Sequence, residues 1–181
     1  EVEKLRQLVE SRVQLTDAEL QQSFDEVRAR HILIRPSEEL KRVQEQYKAK
    51  KQEVPADLDA DALARKRAEE LLAQVKSGGD FAKLAKQYSD DKGSGARGGD
   101  LSWFKRGQMV PEFEEAAFGL QKGQISGVVK SSFGYHIIQV TDRRSQLPKD
   151  FAKNKEKYRQ QELENRKSQA WPRYLKSLRD Q

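Results

Sequence analysis

The apolar positions of this chain change period several times, and each change marks an element. Val2, Leu5 and Val9, with Leu8 beside them, recur at helical spacing through the first dozen residues. Thr16-Asp17-Ala18-Glu19 has the form of a capping box, and Leu15 and Leu20 fall at the two positions of a hydrophobic staple. Leu20, Phe24 and Val27 continue that helical face. From residue 28 to 34 the chain becomes a short apolar run of strand character, and it does so again from 134 to 140. Between them, residues 36–62 are highly charged, with Lys48, Lys50, Lys51 and Pro55, and read as an inserted loop with some helix.

From about Leu63, the positions Ala64, Ala68, Leu71, Leu72 and Val75 form a helix face that Ser77-Gly78-Gly79 ends. Asp80 caps a second helix with Phe81, Leu84, Ala85 and Tyr88 on one side. Residues 93–99 read as a flexible glycine loop leading into a strand at 101–104. Pro111 suits the first turn of a helix carrying Phe113, Ala116, Ala117 and Leu120, and the segments 125–129 and 135–140 predict a hairpin about residues 131–134. The tail returns to helix, with Phe151, Tyr158 and Leu163 and then Trp171, Tyr174, Leu175 and Leu178 as stripes; Pro172 is expected to kink or restart it. The order is α+β: helices, a strand-helix-helix-strand-helix-strand-strand unit, then helices.

Composition narrows the function classes. A chain of 181 residues holds one ordinary domain with additional helices. The net charge of +6 raises nucleic acid as a partner, but its distribution argues against one. Residues 1–27 carry seven acids and three bases, a net of −4, whereas 149–181 carry five acids and ten bases, a net of +5, so the two ends complement each other. Without cysteine there is neither a disulfide framework nor a thiolate metal site, and no apolar stretch nears the ~20 residues of a membrane span. The first residue is Glu1, so an upstream signal or membrane anchor is expected to lie outside this fragment.

One feature carries chemistry, and another resembles a site without making one. The two histidines, His31 and His136, each sit inside an apolar strand, where an imidazole needs a hydrogen-bond partner, and neighbouring strands would let each serve the other. The glycines of 93–99 do not make a phosphate cradle, because a strand follows them where a phosphate loop opens a helix.

Five ordered motifs span the chain from Val27 to Arg143: Arg30-His31-Ile32-Leu33; Phe81-Ala82-Lys83-Leu84-Ala85 with Tyr88-Ser89-Asp90-Asp91; Gly98-Gly99-Asp100-Leu101-Ser102-Trp103-Phe104; Arg106-Gly107-Gln108-Met109-Val110-Pro111-Glu112-Phe113; and Phe133-Gly134-Tyr135-His136-Ile137-Ile138. This stretch resembles the parvulin family of peptidyl-prolyl cis–trans isomerases. The flanking helices resemble those of the extracytoplasmic foldases related to PrsA and SurA. The resemblance implies a four-stranded antiparallel sheet with surrounding helices in 28–143, interrupted by the 36–62 insertion, and a helical chaperone lobe from 1–27 and 144–181. It implies catalytic roles for His31, Asp91 and His136, and a substrate pocket of Leu101, Phe104, Met109 and Phe113 with Ser132, or Ser131, near His136. It implies no cofactor and no metal. Unfolded or proline-containing polypeptides are the expected clients, outside the cytoplasm, with a homodimer through the terminal helices as a further expectation.

The resemblance has departures. The loop from Asp91 to Asp100 is about one residue longer than in the phosphate-directed parvulins, and the 36–62 insertion replaces their basic loop, which weighs against phosphorylated substrates. Two other classes compete: a holdase whose parvulin domain is a peptide platform with little catalysis, and, more weakly, a metal site of His31, His136 and Asp91.

Overall fold

The computed structural model describes residues 1–180. It divides into two units, one formed by Glu1–Asp25 with the segment from Ser145 onward, the other by Glu26–Arg144.

The second unit is built on a four-stranded antiparallel sheet of β1 (Asp25–Ile34), β2 (Asp100–Lys105), β3 (Val129–Ser131) and β4 (Gly134–Ser145), in the order β2-β1-β4-β3. The two histidine strands are therefore neighbours. Alternation of side chains along them sorts the core onto two faces. Ile32, Ile34, Tyr135 and Ile137 pack on one face against Ala64, Ala68, Leu71 and Val75 of α4 (Ala60–Lys76) and Phe81 and Ala85 of α5 (Phe81–Tyr88). Val27, Ala29, Ile138 and Val140 pack on the other against Phe113, Ala117 and Phe118 of α7 (Pro111–Phe118) and Phe104 of β2. Leu71 has no exposed surface, and burial of such a side chain contributes about 1.5–3 kcal/mol. His31 and His136 share parity with the second set, which aims both toward α7.

Residues 36–62 differ from expectation. A 14-residue helix, α3 (Pro36–Ala49), fills the first half and packs on α4 as the other arm of a helical hairpin. Its apolar positions are few, and the residue it buries is Glu39. The segment thus holds more helix than the inserted loop with some helix that its charges suggest, because Leu40, Val43 and Tyr47 make only a short half-buried stripe and the fully buried position is an acid.

Residues 93–99 are also ordered rather than flexible. Asp91 accepts the Ser94 N–H and starts the one-turn α6 (Lys92–Gly95), and successive turns close on Gly99. Gly99 takes a positive φ of 88°, and its carbonyl accepts the His31 N–H at 3.0 Å; a Cβ there would sit 2.4 Å from His31 O. Close approach, not mobility, is what this glycine supplies.

The first unit comprises α1 (Val2–Ser11), α2 (Asp17–Gln22) and α8 (Lys155–Arg179). The Thr16–Glu19 capping box forms as the sequence predicts, and Leu20 is fully buried. The acids of the α2 first turn meet the bases of α8: Lys155 Nζ lies 2.8 Å from Asp17, which Arg159 also pairs, and Arg166 pairs Glu19. Phe24 contacts Phe151 and Tyr158 edge-on, each with ring centroids 5.6 Å away. Phe151 lies in turns ahead of α8 rather than on it. Pro172 sits inside a continuous α8 and does not end it. The carbonyl it leaves unbonded belongs to Ser168, an exposed residue that water can serve.

Candidate active site

A cavity of about 420 Å³ opens on the α7 side of the sheet, lined by His31, Leu33, Arg35, Asp91, Leu101, Gln108, Met109, Val110, Phe113, Phe133 and His136. Five elements converge there. β1 and β4 supply the histidines, β2 supplies Leu101, α7 supplies Phe113, and the N-cap of α6 supplies Asp91. Met109 is carried by the turn before α7. That turn is tied by Lys105 N–H donating to Gln108 Oε1 at 2.8 Å and by Gly107 N–H donating to the Glu114 carboxylate.

The floor is a chain of hydrogen bonds. His31 Nδ1 and His136 Nδ1 are 3.2 Å apart, His31 Nε2 lies 2.7 Å from Asp91 Oδ2, and His136 Nε2 lies 2.6 Å from Ser131 Oγ. Ser94 Oγ donates to Asp91 Oδ2 at 2.5 Å. Burial works against the Asp91 carboxylate, but hydrogen bonds from Ser94 and His31 outweigh it and hold its pKa at about 2. Burial lowers His31, with Asp91 opposing, and burial with the neighbouring His31 lowers His136 to about 4. Both imidazoles are therefore neutral and Asp91 is ionised at neutral pH.

One proton arrangement satisfies all of these contacts. Asp91 can only accept, so His31 carries its proton on Nε2 and leaves Nδ1 as an acceptor. His136 then donates from Nδ1, and its Nε2 accepts from the Ser131 hydroxyl. Ser131 Oγ in turn accepts the Phe133 N–H at 3.1 Å. The buried polar groups of the floor are matched donor to acceptor from the β3–β4 turn through to Asp91.

Phe113 caps this floor edge-on, 5.5 Å from the His31 ring and 5.4 Å from the His136 ring. The wall of Leu101, Met109 and Phe113 is apolar, and Asp91 brings a charge to the same cavity. Such a site holds a small apolar ring beside a fixed negative charge. Because each histidine nitrogen faces a protein partner, the ring nitrogens do not converge on a point that a metal ion could occupy.

Of the residues singled out in sequence, His31, Asp91, His136, Leu101, Met109 and Phe113 come together around the cavity. Phe104 does not line it; it lies on the same face but farther along the strand, paired with Val27, and is buried behind Phe113 at 6.0 Å with Phe118. Ser132 is exposed at the hairpin tip, and the preceding Ser131 is the one that reaches His136, since Ser131 pairs with Gly134 on the inward side of the turn. Ser94, Arg35, Gln108 and Phe133 were missed. Ser94 had one legible signal, its place three residues after a capping aspartate.

A family model described as the PPIC-type PPIase domain matches residues 13–144. Chaperone SurA of Alkalilimnicola ehrlichii is 40% identical over 158 residues, covering 86% of this chain and 32% of that protein. Foldase protein PrsA of Geobacillus kaustophilus is 39% identical over 135 residues, covering 72% and 38%. The crystal structure of the peptidylprolyl isomerase PrsA from Bacillus cereus matches with a TM-score of 0.60 at 35% identity, covering 97% of this chain and 55% of that one. The chain thus spans about a third of the length of the curated relatives it matches. Together with the sheet order and the paired histidines, a match of this extent makes the second unit a peptidyl-prolyl cis–trans isomerase domain. The chain belongs to the PPIC-type, or parvulin, family.

Proposed function

We propose that this chain accelerates rotation about X–Pro bonds in unfolded or partly folded polypeptides, with Leu101, Met109 and Phe113 seating the proline ring and Asp91 acting on the amide. The observation that carries the reading is the floor itself, a neutral histidine pair holding an ionised Asp91 at the edge of an apolar cavity. Rotation about a peptide bond faces a barrier of about 18–20 kcal/mol, and X–Pro bonds interconvert unaided only over tens to hundreds of seconds. No bond has to break; the catalyst must favour the twisted amide over both planar forms.

Twisting the amide returns the nitrogen lone pair from the carbonyl and removes negative charge from its oxygen. A carboxylate near that oxygen repels the planar forms more than the twisted one, and a buried floor of neutral imidazoles leaves the charge poorly screened. His31 and His136 serve this scheme as positioning groups for Asp91, with no proton transfer required. Met109 suits the pocket because an unbranched thioether adapts its shape to varied neighbours of the proline.

The terminal unit gives the chain a second activity, holding of non-native clients. Val2, Leu8 and Leu178 are each about half exposed or more on its helices, an apolar surface that a well-packed bundle would bury. A foldase acting outside the cytoplasm, as the likeness to PrsA and SurA suggests, combines both roles. Pairing of two copies through these helices belongs to the same reading. Among the described residues no helix is long and apolar enough to cross a membrane.

The test is a proline-limited refolding reaction of an unrelated protein. Catalytic amounts of the chain should speed the slow phase, and Met109→Ala should remove most of that effect. A slow phase unchanged at equimolar chain counts against the proposal.

A further inference from the structure

Asp91 is held from behind the cavity as well as from within it. The segment 89–91 crosses the end of β1 and is stitched to it three times. Ser89 Oγ accepts the Leu33 N–H at 3.1 Å, Asp90 N–H donates to Leu33 O at 2.7 Å, and Arg35 N–H donates to Asp90 Oδ2 at 2.8 Å. The remaining oxygen of Asp90 is gripped by Arg42 Nη2, which reaches over from α3. The other arm of the same guanidinium donates to Glu39 Oε2 at 2.8 Å, and Glu39 Oε1 accepts from Arg67 Nε of α4 at 3.1 Å.

In the chain Arg67–Glu39–Arg42–Asp90 the two carboxylates are withdrawn from water, while the Arg42 and Arg67 side chains are 33% and 27% exposed. The Glu39 and Asp90 side chains are 3% and 2% exposed. None of the four residues lines the cavity. Buried ion pairs are weak sources of stability, because desolvation offsets most of their attraction. Their geometry, however, is demanding: one planar guanidinium bridges two carboxylates from fixed directions, which a lysine ammonium cannot reproduce.

We propose that Arg42 is a positioning residue for the isomerase site: by gripping the Asp90 carboxylate from α3, it fixes the peptide that presents Asp91 to His31. The kinetic consequence rests on the isomerase reading, whereas the structural consequence does not. Catalysis that depends on placement loses heavily from displacements of about 1 Å, so release of this grip is felt in turnover rather than in binding.

Arg42→Lys and Asp90→Asn test the inference. The asparagine keeps an acceptor for the Arg35 N–H and removes the charge that Arg42 grips. In both variants kcat/KM toward an X–Pro peptide should fall roughly three- to tenfold, mostly through kcat. The Asp91 carboxyl carbon, followed by NMR, should titrate above the parent value of about 2, toward the ordinary 3.8. Lys41→Gln, on the exposed side of α3 where it pairs Glu38, should change neither readout. If Arg42→Lys does not fold, Asp90→Asn decides. An Asp91 titration that stays at the parent value in a folded variant overturns the inference, whatever the kinetics. A titration that moves in a chain whose parent form shows no isomerase activity upholds the positioning and strikes out the isomerase reading alone.

Discussion

His31 Nδ1 and His136 Nδ1 face each other at 3.2 Å across adjacent strands, a separation that admits one proton between them and not two. With Asp91 ionised on the far side of His31, that proton belongs to His136. Nitrogen-15 NMR at neutral pH should therefore find His31 protonated on Nε2 and His136 protonated on Nδ1, both rings neutral. Detection of the opposite tautomers, or of an imidazolium, would show that the floor is wired differently.

Acid should loosen the fold through the same pair. The pKa of His136 is lowered from 6.5 to about 4 in the folded state, so the unfolded chain binds protons more readily between those values. Stability from this group is fully present above pH 6.5 and is lost as pH falls toward 4, an effect of about 3 kcal/mol. Asp91, lowered from 3.8 to about 2, adds a loss of the same sign below pH 4. Urea titrations at a series of pH values should show unfolding free energy declining from pH 6.5 downward, and a flat profile to pH 4 would contradict the assignment.

The two hairpin serines should separate cleanly. Ser131→Ala leaves the buried His136 Nε2 without its donor and should cost about 1–3 kcal/mol. Ser132→Ala, at an exposed position, should stay within about 0.5 kcal/mol of the parent. Chemical denaturation of both variants checks the contrast.

Gly99→Ala should be among the more damaging small changes. The added methyl meets His31 O at 2.4 Å on a backbone of positive φ, so the cost should exceed about 1 kcal/mol. Displacement of the His31 peptide would reach the floor as well, so loss of the His31–Asp91 contact in the NMR spectrum is expected alongside the fall in stability.

Much of this architecture is legible in the sequence because it rests on periodic burial. The α4 face of Ala64, Ala68, Leu71 and Val75 and the Thr16 capping box follow from spacing, whereas the buried imidazoles only allow the two histidine strands to be neighbours and the parvulin resemblance is what implies it. The missed parts rest on buried polarity. Glu39 takes the one fully buried position of α3, and the short stripe of Leu40, Val43 and Tyr47 is only half-buried, so the helix is weakly announced among its many charges. Ser131 and Ser132 are chemically identical, and only the two-residue turn decides which one faces His136. Phe104 is a different case: it faces the cavity's side of the sheet, but its pairing with Val27 sets it behind Phe113, a register that the sequence does not show. The grip of Arg42 on Asp90 joins residues 48 positions apart and leaves no local trace.

The central claim is that this cavity turns X–Pro bonds, and exchange NMR on a short proline peptide measures it most directly. The parent chain should raise the cis–trans exchange rate far above the unaided value. Met109→Ala, which strips the thioether from the apolar wall, should lower kcat/KM about tenfold, the effect of roughly 1.4 kcal/mol of lost contact. Asp91→Asn, which keeps the side chain's size and removes its charge, should lower kcat with little change in binding. An exchange rate at the unaided value in the presence of folded parent chain, or full activity in both variants, would contradict the account.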